Sequence, residues 1–194
     1  MIAFVLLRAL LILLLVAANA FFAAAEFALV SVRETRIQQL IDAKRIGAYG
    51  ISWGGRTVMN LAALDRRVAA CAISGHFNDL IPKMLASSPR STAYIDTPED
   101  YAFFNDHFRL FNDADVVSLI CPRPVFIEQG RKDTVAYWEA SERAFQPVKE
   151  IYEKLGIGER AVYSIFEGPH EVRGVEAFAF FDRWLKPVAP PGSK

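Results

Sequence analysis

Polar and apolar positions divide the chain into two stretches with different periodicities. Residues 1–30, MIAFVLLRALLILLLVAANAFFAAAEFALV, carry only Arg8, Asn19 and Glu26 as strongly polar interruptions. About 20 consecutive apolar residues suffice to cross a bilayer as a helix, so this stretch predicts a membrane helix. After Lys44 the pattern changes to short apolar runs bounded by glycine, proline and polar residues, with amphipathic stretches between them. Four runs, near 46–50, 69–74, 124–129 and 161–166, predict strands. Strands alternating with helical patterns predict an α/β domain with a mostly parallel sheet. The expected organisation is a hydrophobic segment over 1–43, an α/β domain over 45–186 and a flexible tail over 187–194.

Charge refines the picture at the first segment. Arg33, Arg36, Lys44 and Arg45 gather on its carboxy side, which places that flank in the cytoplasm by the positive-inside rule. A single-pass membrane protein with a cytoplasmic α/β domain is expected. The competing reading is a secretory signal cut after Ala18-Asn19-Ala20, which would leave a secreted or periplasmic protein. The membrane helix is preferred because Arg8 is the only early cation and hydrophobicity runs well past that cut. A buried helix of a soluble domain fits least with so unbroken a leucine run. The chain holds 22 basic and 22 acidic residues, so no basic surplus suggests a nucleic-acid partner. Cys71 and Cys121 sit in or beside apolar runs and have no zinc-site spacing, which predicts buried free thiols in a reducing compartment.

Candidate chemistry begins where the pattern changes. In RIGAYGISWGGRTVMNLAAL, an apolar strand leads into Gly50-Ile51-Ser52-Trp53-Gly54-Gly55 and then into a helix marked by Val58, Leu61 and Ala62. This is the G-x-S-x-G arrangement, which exposes a serine on a sharp strand-to-helix turn. Residues two positions either side must be small to clear the strand and helix, a role read here for Gly50 and Gly54. A bland solvent-facing turn remains the alternative for the pentapeptide alone.

A serine hydroxyl needs a base, and the base needs an acid to orient it. Asp133 follows the strand in PRPVFIEQGRKDTVA and is the candidate acid, the alternative being that it caps the next helix. Asp79, after the strand in AISGHFND, is the second candidate acid. His170 follows the strand in AVYSIFEGPHEV and is the candidate base. His76 and His107 are expected to be hydrogen-bonded surface or loop residues. Phe103, Phe104, Phe108 and Phe111 could line an acyl pocket or pack a core or lid.

With GISWGG, GRKDTV and GPHE in this order, residues 45–186 resemble the dienelactone hydrolase, acetyl xylan esterase and prolyl-oligopeptidase branch of the α/β-hydrolases. The resemblance implies that Ser52 attacks a small-molecule ester or related acyl carbon, that an acyl-enzyme forms, and that His170 activates the water which hydrolyses it. It implies the Trp53 amide as an oxyanion donor and neither metal nor organic cofactor. The family has more strands than the four read here, so the expected fold class is a truncated α/β-hydrolase sheet. Its first half carries the second oxyanion donor, whose loss lowers rates by about a hundredfold to a thousandfold. The strand at 46–50 then becomes an edge suited to self-association.

Residues 1–43 resemble a different family. NAFFAAAEFALVSVRETRIQQL is similar to the first transmembrane segment of the hemolysin-related, cyclin-M-like magnesium and cobalt efflux proteins. That resemblance implies an ion-path role for Asn19 and Glu26 and makes the hydrolase part a non-catalytic passenger. Two partial resemblances meeting near Lys44 predict a fusion of two gene pieces.

Overall fold

The computed structural model describes residues 46–85 and 110–185. The predicted membrane helix with Asn19 and Glu26, the tail, His107, Phe103, Phe104 and Phe108 lie outside them. Among the described residues no helix is long and apolar enough to cross a membrane. The chain divides into two units between Ala43 and Lys44, and every described residue belongs to the second.

Four parallel strands form one sheet in chain order: β1 (Gly47–Ile51), β2 (Ala70–Ser74), β3 (Val125–Gly130) and β4 (Ala161–Phe166). Each lies within a residue of its predicted run. The helices are α1 (Trp53–Leu64), α2 (Leu80–Leu85), α3 (Asp113–Ser118), α4 (Trp138–Lys154) and α5 (Val175–Leu185), and a short 3-10 turn, Gly158–Arg160, leads into β4. Among the described strands β1 and β4 are the edges; β2 and β3 are buried throughout.

Burial on both faces explains why the central strands read as unbroken apolar runs. Side chains alternate across a strand, and two cores result. Cys71, Ile73, Val125 and Ile127 face Val58, Met59 and Ala62 of α1, Val116 and Val117 of α3, and Phe145, Val148 and Tyr152 of α4. Ala70, Ala72 and Phe126 face Ala177 and Phe180 of α5. The small residues of β2 let α5 approach closely. Both cysteines are free; Cys71 is buried as expected and burial pushes its thiol up to about 12, whereas Cys121 is only partly buried.

Arg123 secures the passage from α1 to β2. Its guanidinium donates to the carbonyls of Ala62 (2.5 Å), Asp65 (3.0 Å) and Val68 (2.8 Å). The last carbonyls of a helix have no intrahelical partner, and a partly buried cation there satisfies them while meeting the negative end of the helix dipole.

Candidate active site

All four strands point their carboxyl ends to one edge of the sheet, where open parallel sheets place ligands. Ser52 stands there between β1 and α1. Its φ of 56° and ψ of −124° make it the one non-glycine residue with positive φ among those described. Such geometry costs on the order of 1–3 kcal/mol and persists only where the surroundings enforce it. The Ser52 amide donates to the Ser74 carbonyl (2.9 Å) and its carbonyl accepts from the Arg56 amide (3.0 Å). A serine before a helix ordinarily turns its hydroxyl onto the first-turn amides. Ser52 makes no such side-chain cap, so its hydroxyl is not spent on the backbone.

The tight turn depends on Gly50. A Cβ there would lie 2.4 Å from the Gly54 carbonyl oxygen and 2.5 Å from its carbon. Gly54 was assigned the same role from sequence, and the structure corrects this: a Cβ at Gly54 would meet nothing within 4 Å. Gly55 is the second close approach, with a would-be Cβ 3.0 Å from both His76 Cβ and the Ser74 carbonyl. Trp53 opens α1, so its backbone N–H lies at the positive end of the helix dipole.

Asp133 and His170 meet across the loops that follow β3 and β4. The loops run side by side beyond the strands: the Arg131 amide donates to the Phe166 carbonyl (2.8 Å) and the Lys132 amide to the Gly168 carbonyl (2.9 Å). Gly130 permits this, because a Cβ there would sit 2.4 Å from the Pro169 carbonyl oxygen. Asp133 Oδ2 lies 2.8 Å from His170 Nδ1, with the carboxylate buried and the imidazole about a quarter exposed. Asp133 Oδ1 accepts from the amides of Val135 (2.7 Å) and Ala136 (3.2 Å). It does not cap α4, whose N-cap is Tyr137.

Ser52 is brought to this pair through the end of β2. Ile51 is in register with Ser74, and a Cβ on the next residue, Gly75, would lie 2.8 Å from His170 Cε1 and 2.9 Å from Nδ1. Serine, histidine and aspartate thus occupy the ends of β1, β4 and β3, with Gly75 as the floor. No hydrogen bond joins Ser52 to His170 among the described residues; in unliganded hydrolases this contact often tightens only when substrate binds.

Asp79 takes no part in the pair. Its Oδ1 accepts from Asn112 Nδ2 (2.9 Å), and Asn112 in turn accepts from the Leu80 amide and caps α3. His76, expected to be a surface or loop residue, lies in the loop after β2 with its carbonyl accepting from Asn78, and it is buried. Burial, then the Arg56 charge, hold its imidazole down at about 3. Asp113, 4.0 Å away, is pushed up to about 7 by burial. Phe111 packs against the larger core.

Sequence reasoning missed three positions. Gly75 lies in an SGH tripeptide with no motif to mark it. Glu128, read only as strand, is buried and accepts from the Tyr49 hydroxyl and the Arg173 amide. Burial, and then Glu128 itself, hold the Tyr49 phenol well above its ordinary range. Gln129, the next residue, donates to Asp133 Oδ2 (3.0 Å). A polar pair inside an apolar strand was the available signal. Beside Asp133 an open pocket of about 460 Å³ is lined by Arg131, Lys132, Thr134, Tyr137 and Trp138. Three or more metal-ligating side chains do not cluster anywhere among the described residues.

Known structures share this architecture. A carbohydrate esterase family 15 glucuronoyl esterase from Caldicellulosiruptor kristjansonii is 21% identical with a TM-score of 0.60, covering 74% of this chain and 44% of that one. A promiscuous esterase of the same family from a marine bacterial metagenome is 19% identical (TM-score 0.59; 74% and 43% covered). The Pyrococcus horikoshii acylaminoacyl peptidase is 16% identical (TM-score 0.54; 77% and 26% covered). The second unit therefore has the α/β-hydrolase fold, and the chain spans less than half the length of these proteins. Residues 10–74 match the family described as the cyclin M transmembrane N-terminal domain, a span that continues past Lys44 through β1, α1 and β2. No curated protein matches the sequence.

Proposed function

We propose that the chain is a serine hydrolase of the α/β-hydrolase type that cleaves a carboxylic ester through an acyl-enzyme. One observation carries the reading: an Asp133–His170 pair at 2.8 Å beside a serine in strained geometry whose hydroxyl makes no cap. With Nδ1–H donated to the carboxylate, His170 Nε2 is left as the acceptor for the Ser52 proton. Ser52 Oγ attacks the acyl carbon, His170 takes the proton and passes it to the leaving alcohol, and Asp133 stabilises the imidazolium. A water deprotonated by the same imidazole then releases the acid. The Trp53 amide meets the oxyanion.

In this fold a second oxyanion donor comes from a loop ahead of the nucleophile strand, and the described residues begin at that strand. A site with Trp53 alone would be about a hundredfold to a thousandfold slower. Esters carry better leaving groups than amides, so they are the substrate class such a site turns over. The test is hydrolysis of a short-chain aryl ester, with fluorophosphonate labelling read at Ser52. Labelled wild type and inert Ser52→Ala are expected; equal activity in the two proteins would refute the proposal.

The match of residues 10–74 favours a second reading. In it the chain is a membrane protein of the magnesium and cobalt efflux type, anchored through residues 1–30 with the hydrolase unit as a cytoplasmic passenger. Metal flux that falls in Glu26→Ala would support it, and flux indifferent to that change would remove it.

A further inference from the structure

We infer that Gln129 is a positioning residue of the active site: its amide fixes the Asp133 carboxylate in the plane that receives His170. The inference rests on the serine-hydrolase reading above. Gln129 is fully buried on β3, on the face turned toward α1, α3 and α4, and its Nε2 donates to Asp133 Oδ2 (3.0 Å) and to the Ala136 carbonyl (3.1 Å). Both neighbours are acceptors only, so the amide's orientation follows from chemistry: turned over, its oxygen would face a carboxylate and a carbonyl. Oε1 makes no hydrogen bond to the described residues. Everything Gln129 does for its neighbours passes through one nitrogen.

That nitrogen completes the carboxylate's set of donors. Oδ1 takes the amides of Val135 and Ala136, and Oδ2 takes Gln129 and His170. Two donors on Oδ1 hold one end of the group but leave it able to swing; a third, on Oδ2 and from a rigid strand, fixes the plane. The same nitrogen ties the Ala136 carbonyl, closing the turn that presents Asp133. A buried glutamine with an idle oxygen is a poor choice for stability, since an unpaired buried acceptor carries a desolvation penalty. The donor it supplies to Asp133 offsets that penalty.

Gln129→Met keeps the volume, removes both the donor and the idle oxygen, and separates the two roles. A merely structural glutamine would lower the melting temperature and leave the folded protein's chemistry alone. A positioning glutamine leaves the melting temperature within about 3–4 °C and slows Ser52 acylation by roughly tenfold to a hundredfold, in kcat rather than KM. Gln129→Glu, which keeps the shape but sets an acceptor against the carboxylate, should slow it at least as much. Independently, the His170 Nδ1–H resonance, protected by the aspartate in wild type, should broaden or vanish in both variants. Wild-type labelling rate with an unchanged resonance in a folded Gln129→Met would overturn the inference. An unlabelled wild-type Ser52 would instead sink the hydrolase reading, and the resonance would still decide the role of Gln129.

Discussion

Gly75→Ala is the sharpest probe of the geometry at the strand ends. Gly75 has a φ of +56°, and an added Cβ would lie 2.8 Å from His170 Cε1, 2.9 Å from Nδ1 and 3.3 Å from Asp133 Oδ2. Relaxed carbon contacts lie at about 3.5–4.0 Å, so the ring must retreat by roughly 0.7 Å or more, and it cannot do so without stretching its bond to Asp133. A left-handed conformation without glycine costs about 1–2 kcal/mol by itself. Gly156→Ala isolates that cost, because Gly156 has a φ of +69° with nothing within 4 Å of its would-be Cβ. Both variants should lose about 1–2 kcal/mol in denaturant titration, with a further loss in Gly75→Ala alone. Fluorophosphonate labelling of Ser52 should fall by about a hundredfold in Gly75→Ala, the scale of an ångström-sized misplacement, and stay unchanged in Gly156→Ala. A Gly75→Ala protein that labels at the wild-type rate would refute the placement of His170 against the end of β2.

Asp113→Asn should change how stability depends on pH. Burial raises the folded-state value to about 7 from an ordinary 3.8, so the folded protein holds this proton more tightly. Its contribution is fully present below about pH 3.8 and is lost as pH rises through about 7. The variant should therefore gain on wild type across that window, by up to about 4 kcal/mol at pH 9. A stability difference independent of pH would contradict the assignment. Arg123→Met should cost about 2–4 kcal/mol by stripping three carbonyls of a charged donor, and hydrogen exchange should accelerate first in the last turn of α1. Uniform acceleration across the sheet would argue against a local role. Tyr49→Phe should leave Glu128 without its hydroxyl partner and lower the melting temperature, with little effect on the pairing of His170 and Asp133 by imidazole NMR.

Much of this fold is legible in the sequence because its central strands are buried on two faces. Runs such as ACAIS and VFIEQG announce themselves without any alternation, and glycine or proline marks their ends. The candidates Ser52, Asp133 and His170 are legible by their place after a strand: Ser52 directly follows β1, and Asp133 and His170 each stand one short loop beyond β3 and β4. What the pattern concealed depends on approach between distant segments. Gly54 and Gly75 look alike in sequence, yet only Gly75 has an imidazole against it. His76 reads as a surface or loop residue, and only approach between distant segments buries it. Gln129 differs again, because a polar residue in a buried strand was visible and its partner, four residues on, was not.

The four strands lie in the sheet in the order in which they occur in the chain. Each strand can thus dock on one already in place as synthesis proceeds, without waiting for a later piece to be inserted between earlier ones. The strained serine turn belongs to the first pair, whereas the histidine arrives with the last strand. At about 5–20 residues per second, Ser52 spends several seconds on the nascent chain before His170 is made. Under the proposed function, chains that stop short would carry an inert serine, and the full set of Ser52, Asp133 and His170 comes together only with β4.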